Sequence, residues 1–104
     1  MMTGPQIGSF TASPNPITAG SSVTLTASNL TDANPNSTVA QVTFYYYDSN
    51  GNRVTLGTVT TGSGGAWTLN YTVTLASGTY KLFCQAEDSY GVFGDPAAIT
   101  LMVS

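Results

Sequence analysis

Apolar and polar residues alternate with a period of two along most of this chain. Val23, Leu25 and Ala27 interleave with Thr24, Thr26 and Ser28, and Val42, Phe44 and Tyr46 repeat the pattern. Trp67, Leu69, Tyr71, Val73 and Leu75 extend it furthest, with Thr68, Asn70, Thr72 and Thr74 between them. Tyr80, Leu82, Cys84 and Ala86 follow, then Ile99, Leu101 and Val103. Period-two alternation is the mark of a strand with one buried face, because successive side chains point to opposite sides of a sheet. No stretch of about a dozen residues repeats apolar positions at the three-to-four spacing of a helix.

A first strand near Ile7–Ala12 and a shorter one near Arg53–Thr60 bring the expected number to about seven. The breaks between them have turn chemistry. Pro14-Asn15-Pro16 and Ala19-Gly20 precede the second strand, and Gly62-Ser63-Gly64-Gly65 and Ser77-Gly78 flank the fifth. Asp48-Ser49-Asn50-Gly51 contains Asn-Gly, which suits a tight hairpin because both residues tolerate positive φ. About seven short strands in 104 residues without a detectable internal repeat imply one all-β domain of two packed antiparallel sheets. Its extent is read as residues 7–104, with residues 1–6 a linker or an added start.

The inward phase of each strand gives the expected core: Val23, Leu25, Val42, Phe44, Tyr46, Trp67, Leu69, Tyr71, Val73, Tyr80, Leu82, Cys84, Ile99 and Leu101. Cys84 is the single cysteine, so no internal disulfide can form and packing must supply the stability. In phase with Leu82 and Ala86, it reads as a small buried apolar residue with an inert thiol.

Composition then narrows the function. Only 7% of residues are charged, Arg53 and Lys81 are the only cations, and histidine is absent. Two cations cannot make the series of phosphate contacts on which nucleic-acid affinity rests, and they form a poor patch for an anionic membrane. No apolar run approaches the roughly 20 residues that span a bilayer, and Met1–Phe10 lacks the basic start and apolar centre of a signal peptide. The chain is therefore expected to be an excerpt of a longer protein whose export signal lies elsewhere. A surface kept wet by Thr and Ser suits an extracellular or cell-surface setting.

Catalysis is not expected. There is no histidine to serve as a base for Cys84, and the neighbours Glu87 and Asp88 would point to opposite faces of a strand. A glycosidase pair of Asp32 and Asp88 would need a cleft that nothing in the sequence suggests.

Read in order, the chain resembles the bacterial immunoglobulin-like domains, including PKD-type modules, of large surface and secreted multidomain proteins. The resemblance rests on Ser13-Pro14-Asn15-Pro16 followed by Ala19-Gly20 and Val23–Ala27, then Val42, Phe44, Tyr45 and Tyr46, then Leu56-Gly57, Gly78-Thr79-Tyr80, and Ala86-Glu87-Asp88 with Gly91. It covers nearly the whole chain. It departs from the antibody branch in lacking a second cysteine and in placing Trp67 in the fifth strand. It implies an immunoglobulin-like antiparallel β-sandwich serving as a repeated, monomeric, non-catalytic spacer or presentation module, with neighbouring domains of the same polypeptide as its partners. Tyr80, after a Gly turn at the start of the sixth strand, is expected to bond its hydroxyl back to nearby backbone.

Two candidate sites remain. Asp32, Asn34 and Asn36, in the loop between the second and third strands, carry the oxygen ligands that calcium requires, and the sandwich brings Asp88 to the same end. These residues are the candidate site for a weakly bound calcium ion, the only cofactor considered. Closure of turns by local hydrogen bonds is the alternative account of the same residues. Asp48, Asn50 and Asn52 superficially resemble the start of a calcium loop, but the completing glutamate is missing and a hairpin explains them better.

The second candidate is a pair of rings. Tyr45 and Tyr47 fall on the outward phase of their strand, about 7 Å apart. Exposed together, they could support a polysaccharide, making the chain a carbohydrate-binding or adhesive module instead of a spacer. Tyr90 and Phe93 form a further aromatic group before the last strand, where Phe93 is expected to plug the end of the core.

Overall fold

The computed structural model describes residues 3–32 and 34–104; Met1, Met2 and Ala33 lie outside them. Seven strands follow in order: β1 (Gln6–Ser13), β2 (Ser22–Thr31), β3 (Val39–Tyr47), β4 (Arg53–Val59), β5 (Ala66–Thr72), β6 (Gly78–Asp88) and β7 (Ala97–Val103). They make a three-stranded sheet, β1-β2-β5, and a four-stranded sheet, β4-β3-β6-β7. Every pairing within the sheets is antiparallel.

The alternation sets which side chains meet between the sheets. Val23, Leu25 and Ala27 of β2, Val42 and Phe44 of β3, Leu82, Cys84 and Ala86 of β6 and Leu101 of β7 are all fully buried. Phe10 closes the β1 side of this core, its ring centroid 5.8 Å from that of Phe44. Tyr46, Trp67, Leu69, Tyr71, Tyr80 and Ile99, expected in the core, pack against it but stay partly exposed. Trp67, Leu69 and Tyr71 lie on edge strand β5 and Ile99 on edge strand β7, while Tyr46 and Tyr80 lie near the ends of β3 and β6. The Tyr80 hydroxyl donates to the Ala76 carbonyl at 2.7 Å, the backbone bond expected of it.

Strand β5 ends at Thr72, although the alternation continues to Leu75. Its neighbour β2 begins only at Ser22, which pairs with Thr72. Beyond that pair Val73 bonds the bend before β2, donating to Ser21 and accepting from Gly20, and its side chain stays buried.

Strand β4 takes an extra residue. Phe44 pairs with Gly57 while Tyr45 pairs with Thr55, so Leu56 is the bulged residue and the inward phase shifts from Val54 and Leu56 to Val59. Gly57 faces the other sheet there; a Cβ on it would lie 2.8 Å from Leu69 Cδ1.

Both ends of β1 are tied down more tightly than its sequence suggests. Gly4 and Pro5, assigned above to a linker over residues 1–6, are buried, and β1 already begins at Gln6. A Cβ on Gly94 would fall 1.6 Å from the Pro5 carbonyl oxygen, so two backbones touch where a side chain would part them. After β1 the Pro14-Asn15-Pro16 segment crosses to the four-stranded sheet. Ile17 donates to Met102 O and accepts from Ser104 N, both at 2.9 Å. The Asn15 amide stands in for a peptide group, donating to Thr100 O at 2.8 Å and accepting from Met102 N at 3.0 Å. These bonds occupy the outer edge of β7 from Thr100 to Ser104, an edge that would otherwise be open to pairing with another chain.

Candidate functional site

The loop between β2 and β3 and the turn after β6 meet at one end of the sandwich, as anticipated, and Asp88 is the hub. Its side chain is 1% exposed. Oδ1 accepts the N–H groups of Tyr90 and Val92, each at 2.9 Å, and Oδ2 accepts the Asn34 side-chain amide at 2.7 Å. Asp32 organises the other half: Oδ1 accepts from Asn34 N at 3.0 Å, and Oδ2 accepts from the Ser37 hydroxyl. A backbone bond from Ser89 N–H to the Thr38 carbonyl, a return bond from Thr38 N–H to the Ser89 hydroxyl, and a bond from the Tyr90 hydroxyl to the Pro35 carbonyl complete the clasp.

Burial alone would raise the Asp88 carboxyl, but the donors from Val92, Asn34 and Tyr90 outweigh it and hold the group below its ordinary value. All four carboxylate oxygens of Asp32 and Asp88 therefore face N–H or O–H donors. A cation entering there would meet the positive ends of those donors. Asn36, the remaining member of the candidate set, is exposed and takes a φ of 63°, a turn position that asparagine tolerates. Among the described residues no three His, Cys, Asp or Glu side chains stand together as a metal-binding group. The geometry matches the turn-closing account of this loop.

The aromatic pair is arranged differently from a flat platform. Tyr45 and Tyr47 share the outer face of the four-stranded sheet, but only Tyr47 is open, at 50% exposure against 3% for Tyr45. The Tyr45 ring is covered on both sides. Phe83 stacks on it with centroids 5.4 Å apart and planes 13° apart, and the Arg53 guanidinium lies 3.6 Å from its centroid. Tyr47 meets Tyr45 edge-on at 5.7 Å. Burial pushes the Tyr45 phenol up, offset in part by Arg53. Alternation correctly gave the face; what it cannot give is how a cross-strand neighbour covers one ring. Sequence reasoning did not bring Arg53, Lys81 and Phe83 to this site. The signal was present, since Lys81 and Phe83 alternate out of phase with Leu82 and Cys84.

Phe93, expected to plug the core, is 56% exposed, and Tyr90 is 48% exposed. Gly4 and Pro5 fill that end instead, backed against Phe93 and Gly94. Cys84 is fully buried, and burial raises its thiol to about 12. No pocket opens among the described residues.

No protein-family model matches this sequence, and no curated protein sequence matches it. Solved structures do. The PKD domain of an M14-like peptidase from Thermoplasmatales archaeon SCGC AB-540-F20 superposes with a TM-score of 0.63 at 21% identity, covering 99% of this chain and 98% of that one. Superoxide reductase (neelaredoxin) from Ignicoccus hospitalis superposes with a TM-score of 0.65 at 14% identity, over 99% of this chain and 82% of the reductase. At these identities the likeness is one of fold. Seven antiparallel strands in two facing sheets, with a PKD domain matched along its whole length, give this chain an immunoglobulin-like, PKD-like β-sandwich fold.

Proposed function

We propose that the chain is a non-catalytic module of a larger extracellular or cell-surface protein, of the bacterial immunoglobulin-like kind, holding its neighbours apart in line. The carrying observation is where the chain enters and leaves. Gly4 packs against Phe93 and Gly94, just before β7, whereas Val103 pairs with Gly78 at the start of β6, at the opposite end of the strands. A module entered at one end and left at the other adds its length to a chain of domains. The PKD domain it resembles is likewise one domain of a peptidase.

The chemistry of the side chains favours this reading over the reductase that shares the fold. Histidine is absent, the one thiol is buried and held protonated, and Asp32 and Asp88 are spent on the loop clasp. The test is replacement of this segment in its parent protein by an unrelated rigid sandwich of similar length. Retained parental activity is the expected result. Activity lost on replacement, and restored only by this sequence, would overturn the proposal.

A further inference from the structure

Arg53 and Lys81, the only two cations of the chain, lie on the same surface. Arg53 pairs across β4 and β3 with Tyr47, and continuing the Tyr46–Leu82 register by one residue sets Tyr47 beside Lys81. The three form a row across the outer face of the four-stranded sheet. With strands about 4.8 Å apart, the two cationic residues flank Tyr47 with their Cα atoms about 10 Å apart.

Neither cation is spent on an acid. Arg53 rests on the Tyr45 ring and the Lys81 ammonium lies 5.5 Å from the Phe83 centroid; among the described residues neither joins an ion pair. Asp48, the acid nearest in sequence, directs Oδ1 to the N–H groups of Asn50 and Asn52 within its own turn. Glu87 shares the outward phase of β6 but stands six residues from Lys81, about 20 Å along the strand. Stacking on Tyr45 fixes the guanidinium plane, so its N–H fork is held ready at little entropic cost. That fork matches a planar carboxylate.

We propose that this face binds a carboxylated polysaccharide, with uronate groups meeting Arg53 and Lys81 and a sugar ring lying against exposed Tyr47. The surroundings select a glycan over an acidic peptide. Thr55, Thr79 and Thr100, all exposed, lie beside the row with hydroxyls that complement a polyhydroxylated chain. A peptide would seek an apolar pocket for its side chains, and the row, which runs across the outer face from edge strand β4 over the last residue of β3 to β6, has no pocket beside it among the described residues. The inference goes beyond the module reading and does not depend on it.

The experiment is titration of the intact chain with polygalacturonate at low and high salt, beside neutral xylan, dextran sulfate and poly-glutamate. Polygalacturonate should bind best, and more weakly as salt rises. Loss of both cations in R53Q/K81Q should lower affinity at least about 10-fold, the effect of removing charge-assisted hydrogen bonds. Arg53→Lys should fall between the two, because it keeps the charge and loses the fork. Unchanged thermal melting of each variant certifies the fold. Equal or tighter binding to poly-glutamate would reassign the face to an acidic protein. Preference for dextran sulfate would reduce it to attraction by charge density, and preference for xylan, indifference to R53Q/K81Q, or no binding at all would equally overturn the proposal.

Discussion

Leu82 is the position at which the packing account is most exposed to test. Its side chain is fully buried, and β6 is held between β3 and β7, with Tyr46 and Ile99 as its cross-strand partners. Leu82→Ala deletes three carbons, worth about 2.4 kcal/mol at about 0.8 kcal/mol each. A cavity term adds to this, because hydrogen bonds on both sides of β6 keep the backbone from moving in to fill the space. The total should be about 3–4 kcal/mol, within the observed span of about 2–5 for buried leucines. A domain with the usual 5–15 kcal/mol survives that loss, so the variant remains measurable. Urea unfolding followed by the fluorescence of Trp67, the one tryptophan, should show an earlier midpoint with an unchanged m-value. Thr79→Ala, on the exposed face of the same strand, should stay within about 0.5 kcal/mol. A loss below about 0.5 kcal/mol at Leu82 would mean that the inward phase of β6 is misassigned.

Further expectations follow from the clasp and the backbone contact at the entry end. The depressed Asp88 pKa means that its contribution to stability is complete above the ordinary carboxylate value of about 3.9 and is lost as the pH falls through the lower folded value. Urea midpoints measured down to about pH 2 should therefore show an acid-side decline that Asp88→Asn reduces; an unaltered decline would remove Asp88 from the account. Because the Asp32 and Asp88 oxygens already accept hydrogen bonds, melting should be the same in chelator and in millimolar calcium, and a rise with calcium would restore the cation site. Gly94→Ala, whose Cβ meets the Pro5 carbonyl, should cost about 1–3 kcal/mol or more in urea unfolding, and a neutral result would show that the entry segment is loosely packed.

The strands were legible because a half-buried sheet imposes a period that no other element shares. Trp67–Tyr71 and Tyr80–Ala86 could be placed from that period alone. It does not report what lies over a residue once its face is known. Tyr45 and Tyr47 share a phase, yet Phe83 and Arg53 bury the first and leave the second open. The end of β5 depended on where β2 begins, and the bulge at Leu56 on the space opposite Leu69; both are properties of a partner strand. At the loop end, acids and amides correctly marked the place where Asp32, Asn34 and Asp88 converge. Their purpose rested on the backbone N–H groups of Tyr90 and Val92, which leave no trace in residue identity. Gly4, Pro5 and Asn15 carry no periodic signal, and their roles emerge only where two remote segments touch.

The most direct test of the in-line module reading is small-angle scattering from two copies of the chain fused head to tail without added residues. One copy has a longest extent of 44 Å. Entry and exit at opposite ends predict a fusion whose maximum dimension approaches twice that of a single copy, unchanged by salt. A fusion little longer than one copy, folded back so that the two sandwiches lie side by side, would contradict the reading.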